Sequence, residues 1–322
     1  MSNLEAAPSE VACAATTFDG IEVLEPREVP LGGPRALRVR RTLPQRRRSL
    51  IGAWCFVDHY GPHDVRDAAG MDVPPHPHTG LQTASWLFRG EIEHRDSGGV
   101  HQLVRPGELN LMTAGAGICH SEVSTPQTTL LHGVQLWVAL PDSARHTGRN
   151  FEHHVPQHFT HTGATIRLFL GELAGQRSPV HTFTPLLGAQ VDLAAGSHAD
   201  LDVDSAFEHG VLLDLGVVEV AGRRLQSGEL AYLGPGSTSL RLHNPAGRSA
   251  RLLLLGGVPF GEDLLMWWNF VARSHDEIVE QRRLWQNGDP RFGAVSGYSG
   301  AVARLPAPPL PAIRLRPRRR RR

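Results

Sequence analysis

Two histidines flank a proline in "PPHPHTG", residues 74–80, so His76 and His78 stand at i and i+2. Side chains spaced this way share one face of an extended strand. The residue before a proline is biased towards extended backbone, so Pro77 steers His76 into that geometry. A proline also forces a strand end or a bulge, and Pro77 is expected to make one of these here. With 18 His in 322 residues, roughly one H-x-H arises from composition alone, so the pair needs company. It comes in "AGAGICHSEV", which carries His120 and Glu122, again i and i+2. Two same-face pairs on separate strands would bring three imidazoles and one carboxylate to a point. That donor set suits a divalent first-row metal ion, and an octahedral ion would keep two positions open for dioxygen or a bidentate oxygen ligand. A structural zinc site is usually closed and often uses Cys. Cys119 adjoins His120 but is expected on the other side of the strand.

Other candidates carry less. Asp58, His59 and His63 in "VDHYGPHD" read as a loop cluster near the mouth of the site. His94, Arg95 and Asp96 read as a buried, charge-paired turn after a hairpin, and Trp86 and Met112 as core. His153, His154 and His158 fall in a polar linker and are expected in solvent. Ser121 has no His–Asp pairing placed around it, which argues against a serine nucleophile. "TAGAG" is not a phosphate loop, because no Gly-Lys-Ser/Thr follows it. In the second half His181, His198, His209 and His243 form neither H-x-H nor H-x-E. They are expected at the surface or as satisfied core residues, leaving that half free of metal.

The elements that must position the four candidate ligands are strands. Apolar segments such as "SLIGAWCFVDHYG", "LQTASWLFRGEIEH" and "LLHGVQLWVALP" recur at close spacing between Gly and Pro turns, the signature of an all-β sandwich or barrel. "WLFRGEIEH…VRPGELNLMTAG" parallels "LDLGVVEVAGRRLQSGELAYLGPG", which implies one β unit duplicated. One helix is expected in "ARSHDEIVEQRRLWQNGDP": Ser274 caps it, Glu277 completes S-x-x-E, Ile278, Gln281 and Trp285 share a face, and Gly288 and Pro290 stop it. Its expected role is to close a barrel end.

Composition bounds the rest. All 33 basic residues are Arg; nine follow Asp289, so residues 1–289 carry 24 Arg against 32 acids, a net charge of −8. An acidic body disfavours specific nucleic-acid binding. Three scattered cysteines, Cys13, Cys55 and Cys119, argue against a disulfide framework and fit a reducing compartment, with cytoplasm the default. No apolar run is long enough to span a bilayer, and the N-terminus lacks a signal-peptide pattern. The expected organisation is a flexible leader (1–18), a first β domain (19–145) holding the metal, a linker (146–160), a second, metal-free β domain with the closing helix (161–303), and a disordered Pro/Arg tail (304–322), in a monomer.

The segments "PPHPHTGLQTASWLFRGEIEHRDSGG", "PGELNLMTAGAGICHSE" and "HGVQLWVALP" closely resemble the pirin family of the cupin superfamily, with "RRTLPQRRRSLIG" and "LLLLGGVPFGEDLLMWWNFVARSHDEI" extending the likeness across about residues 19–300. The resemblance implies two tandem cupin (RmlC-like jelly-roll) barrels. It also implies one iron in the first, held by His76, His78, His120 and Glu122, with Mn, Co, Ni, Cu or Zn as other ions for such a site. Some pirin-like proteins are flavonol (quercetin) 2,3-dioxygenases, so the implied substrates are a small aromatic flavonol and dioxygen, with Glu122 taking a proton. Others are regarded as iron-dependent regulators, a redox-sensing role with a protein partner. The sequence departs from the family at Thr79-Gly80-Leu81-Gln82-Thr83, where pirins usually carry Arg-Gly-Phe-Glu-Thr. Gln82 stands where many other cupins place a carboxylate ligand.

Overall fold

Period-two alternation in short strands closes the chain into two barrels, each a large sheet facing a small one. The computed structural model describes residues 15–18, 20–30, 37–66 and 70–317. The first barrel is built on β1 (Trp54–Asp64), β2 (Asp72–His78), β3 (Leu81–Arg89), β4 (Ile92–Asp96), β5 (His101–Val104), β6 (Leu109–Thr113), β7 (Ile118–Ser124) and β8 (Leu130–Ala139). Its large sheet runs β6-β3-β8-β1 and its small sheet β2-β7-β4-β5. The second is built on β9 (Leu186–Leu193), β10 (His198–Asp202), β11 (Glu208–Leu215), β12 (Val218–Val220), β13 (Arg223–Leu225), β14 (Leu230–Leu233), β15 (Ser239–His243) and β16 (Ala250–Gly257). Its sheets run β14-β11-β16-β9 and β10-β15-β12-β13. The strand orders are the same, so the duplication read from turn residues extends to the whole unit.

The barrels lean on each other through their large sheets. Trp54, Phe56, Trp86 and Phe169 join Leu212, Leu253 and Leu255 in one buried apolar layer. Polar groups trapped there are paired. Trp54 Nε1 donates to the carbonyls of Leu187 (3.2 Å) and Gly256 (3.1 Å), and Trp86 Nε1 donates to Gln190 Oε1 at 2.9 Å. Gly52, at φ +52°, permits the approach: a Cβ there would lie 2.7 Å from the Gly257 Cα.

The two ends of the chain cross over. Ala15–Phe18 pairs with Ile21–Leu24, and that strand pairs with β14 of the second barrel. Residues 15–18 of the expected loose leader are therefore sheet; 1–14, with Cys13, lie outside the described residues. The expected linker is also partly sheet, since Asn150–His154 pairs with β6 and His158–His161 with Ala164–Leu170. His153 Nδ1 bonds Asn110 Oδ1 at 2.6 Å, so it is not merely solvated, whereas His158 is exposed.

At the other end, the chain leaves the second barrel and returns to the first. The hairpin Leu265–Trp267/Phe270–Ala272 bridges Thr79, the residue after β2, through Phe270, and Val271 N donates to Thr79 O at 3.0 Å. Helix α1 (His275–Gln286) follows, capped by Ser274, whose side chain accepts from Glu277 N at 3.2 Å. Glu277 itself accepts from Arg273 N at 3.1 Å. Ile278, Leu284 and Trp285 pack with Trp267, Trp268 and Phe270 over Cys119, on the outer face of the first barrel's small sheet. The closing helix, expected with the second barrel, thus covers the first.

The tail, expected to be disordered, is ordered through residue 317. Leu305 N donates to Pro75 O on β2, and Trp285 Nε1 donates to Leu305 O, both at 2.9 Å. The Arg304 guanidinium lies 3.5 Å above the Trp285 ring, and Ala307 is buried. Composition alone undervalued this segment: prolines lower its ordering entropy, and α1 and β2 offer the apolar surface and backbone partners it lacks. The arginines 318–322 lie outside the described residues. Among the described residues, no helix is long and apolar enough to cross a membrane.

Candidate metal centre

β2 pairs with β7 alone and forms the edge of its sheet. An edge strand tolerates Pro74, Pro75 and Pro77, which cannot donate to a ladder. Across this pair His76 faces His120 and His78 faces Ile118, and the register then slips so that Glu122 faces Val73. The bulge falls at Pro74–Pro75, and β2 ends at His78, one residue after Pro77. The sequence folds this way because its prolines can occupy only the unpaired side, leaving both imidazoles to point inward.

The structure brings His76, His78 and His120 together. Their ring centroids are 4.3 Å (His76–His120), 5.0 Å (His78–His120) and 5.1 Å (His76–His78) apart. All three rings are fully buried, which pushes their pKa values well down and keeps them neutral. His76 Nδ1 donates to Pro74 O at 2.8 Å and His78 Nδ1 to Asn269 O at 3.2 Å. A neutral imidazole that donates from Nδ1 presents a lone pair at Nε2. The Nε2 atoms of His76, His78 and His120 are buried without a hydrogen-bond partner, and the three imidazoles offer ligand atoms within 4.8 Å of one another. Leaving one such acceptor unsatisfied costs about 1–3 kcal/mol. Three such acceptors within reach of one another fit a divalent metal.

Glu122 is also buried and forms a second set with His120 and His94, again within 4.8 Å. Ser85 Oγ donates to Gln135 Oε1 at 2.9 Å and lies 3.4 Å from Glu122 Oε1. The three imidazoles are therefore the compact set, and Glu122 adjoins it through His120. Tyr60, buried and with an unpartnered hydroxyl, has its pKa raised by burial and by the Glu122 charge. Trp137 meets the His78 ring edge-on at 5.2 Å, and its Nε1 is also without a partner. Deeper in the barrel, Arg41 makes a bidentate pair with Asp58 at 2.7 and 2.8 Å and stacks on Phe56.

Several expected placements change. Asp58, His59 and His63 all lie on β1 rather than in a loop; Asp58 and His59 are fully buried and His63 is half-buried. They point to opposite faces, Asp58 inward to Arg41 and His59 outward to the second barrel. There His59 Nε2 and His132 Nε2 meet Asp214 Oδ1 at 2.7 and 2.6 Å, and Arg251 Nε donates to Asp214 Oδ2 at 2.6 Å. The Arg40 guanidinium lies 3.3 Å from His59 Nε2. These imidazole nitrogens already have a carboxylate, and two guanidiniums stand beside it, so this cluster clamps the barrels. Burial lowers the His59 pKa to about 4.

His94 and Asp96 are not a turn but inward positions of β4, beside His120. Their H-x-D alternation in a strand-like segment was the available signal. Gln82, on the strand face opposite Ser85, donates to Thr113 Oγ1 at 3.0 Å, so this departure from the family pattern is turned away from Glu122. Trp86 and Met112 are core as expected. His209 is buried with its Nε2 unpartnered, not satisfied, whereas His181 and His198 are exposed and His243 pairs with Glu219. Cys55 and Cys119 are free and buried, and burial pushes both thiols up to about 12.

Comparison with known proteins places this architecture. Residues 36–138 match the family model described as Pirin, and residues 188–293 match that of the Pirin C-terminal cupin domain. A Pseudomonas aeruginosa protein named "Putative quercetin 2,3-dioxygenase PA1205" is 45% identical over 287 residues, 88% of this chain and 89% of its own length. The chain belongs to the pirin family. A pirin-like protein of Caulobacter vibrioides is 36% identical, over 83% of this pirin and 93% of its own length. The crystal structure of a quercetin 2,3-dioxygenase from Acinetobacter baumannii superposes with a TM-score of 0.86 at 39% identity, covering 92% of this pirin and 97% of that chain.

Proposed function

We propose that this pirin is a metal-dependent dioxygenase of flavonols such as quercetin, with His76, His78, His120 and Glu122 holding one divalent ion, Fe2+ foremost. The observation that carries the reading is the trio of buried, unpartnered Nε2 atoms facing one another. The relative and the solved structure named for that reaction support the substrate class. When bound, the metal would acidify the flavonol 3-hydroxyl and couple the substrate electronically to dioxygen. The protein's own groups do the rest. His76 and His78 are locked by backbone carbonyls with their lone pairs aimed inward. The Glu122 carboxylate, within reach of the Ser85 hydroxyl, receives the hydroxyl proton. Tyr60 and Trp137 wall the interior and exclude water. Ring opening with loss of carbon monoxide completes the transformation.

The test is anaerobic loading with Fe(II), then quercetin and air, following the flavonol absorbance. Its loss with release of carbon monoxide is the expected result. No loss with Fe, Mn, Co, Ni or Cu removes the reading.

One observation favours a second reading. His76, His78 and His120 are wholly enclosed and Glu122 nearly so. A sealed ion suits a redox sensor that binds a protein partner, with Fe(II)/Fe(III) as the switch. Capture of a partner that follows the oxidation state of iron, with quercetin untouched, would select it.

A further inference from the structure

Beside the three-histidine set lies a chain of polar groups that the proposed reaction does not use. Asp96, buried at the end of β4, has its Oδ1 fixed by the backbone N–H groups of Gly98 (2.7 Å) and Val100 (3.1 Å). Its Oδ2 lies 3.2 Å from His94 Nε2. His94 Nδ1 in turn lies 3.4 Å from His120 Nδ1. Both residues are 3% exposed, so water does not substitute for either contact.

The order of protons along this chain follows from its fixed end. An ionised carboxylate only accepts, so His94 Nε2 carries the proton. A neutral His94 then has a lone pair at Nδ1 and accepts from His120 Nδ1–H. That leaves His120 Nε2 unprotonated, facing His76 and His78 without a hydrogen-bond partner. Carbonyl oxygens perform the same task for His76 and His78. His120 has no carbonyl, and two side chains replace it.

We propose that Asp96 and His94 are positioning residues that set the tautomer and ring orientation of His120, so that its Nε2 is delivered to the metal. The proposal rests on the metal-site reading above for its consequence, but not for its proton order. It also separates the two overlapping ligand sets: His94 acts through His120 and is not itself a ligand.

The test uses the full-length chain, labelled with 15N-histidine and stripped of metal. Long-range 1H–15N spectra report which nitrogen of each ring is protonated, and competition with a chromophoric chelator gives cobalt(II) affinity. Wild type should show His120 protonated at Nδ1 and His94 at Nε2. Asp96→Asn keeps the Oδ1 contacts but offers an N–H to His94. The chain should reverse, His120 should carry its proton at Nε2, and cobalt affinity should fall by about 10–100-fold. His94→Leu should lose a similar factor, whereas His94→Asn, whose Oδ1 can stand in for the Nδ1 acceptor, should recover most of it. Circular dichroism and an unchanged unfolding midpoint show that each variant folds.

An unchanged His120 tautomer in Asp96→Asn, or wild-type cobalt affinity in a folded His94→Leu, overturns the proposal. So does binding of two cobalt ions with one lost in His94→Leu, which would make His94 a ligand. Wild type with the stated tautomers but no cobalt binding would uphold the proton order and remove the metal-site reading instead.

Discussion

The two barrels share a strand plan and differ in what they aim inward. In the first, the paired strands β2 and β7 turn His76, His78, His120 and Glu122 into the interior. In the second, the corresponding strands β10 and β15 turn in Ala199 and Leu201, opposite Leu242 and Leu240. Those four are buried in an apolar core with Val191, Val211, Leu213 and Leu252. The frame is therefore indifferent to its contents. Filled with aliphatic side chains it is a structural unit; filled with imidazoles it presents unsatisfied acceptors that fit a metal ion.

Substitutions at matching positions should break this symmetry in opposite directions. The largest effect is expected at His120→Ala, where metal content measured by elemental analysis should fall by about 100-fold or more, with cobalt(II) following. Apo stability should fall as well, because the substitution opens a cavity in a fully buried site and leaves His94 Nδ1 without its donor. Retained metal in that variant would contradict the assignment. At the matching strand of the second barrel, Leu242→Ala should leave metal content intact and cost about 2–5 kcal/mol in denaturant unfolding.

The clamp between the barrels should respond to pH. His59 is neutral when folded, with its pKa held down at about 4 by burial. The unfolded chain protonates it near 6.5. Stability from this group is complete above about pH 6.5 and is lost as pH falls towards 4, to at most about 3 kcal/mol. Burial holds His209 at about 4 as well, so it contributes in the same window. His59→Gln should flatten part of the acid limb of the stability curve, and a curve unchanged by that substitution would show that His59 does not drive it. The smallest effect is expected at Ser274→Ala, about 1 kcal/mol from a lost helix cap. Hydrogen exchange should report that loss in β2 and β7 rather than in the second barrel, because α1 lies over the first.

How much of this could be read without coordinates depended on whether the signal was local. H-x-H and H-x-E are local, and strand alternation converts them into a shared face. The repeated Gly-Glu-Leu steps likewise exposed the duplication. What stayed hidden was long-range pairing. Nothing near His59 in the sequence announces Asp214, and nothing in "LPAPPLPAIRL" announces Pro75 or Trp285 as its partners. His94 and Asp96 lie between these cases: their alternation was legible, but their meaning depended on which strand lay beside them.

The crossing of the chain ends bears on how the molecule is made. Ile21 lies opposite Leu233, so this strand must wait for a partner synthesised some two hundred residues after it. Until then the nascent first half has only the Ala15–Phe18 strand beside "IEVL", whose other edge stays unpaired, and β2 lacks the later Leu305 segment that pairs with Pro75. Severing the chain between the barrels would strand one piece without its edge and the other without its cover, so the duplicated halves have become mutually dependent for folding.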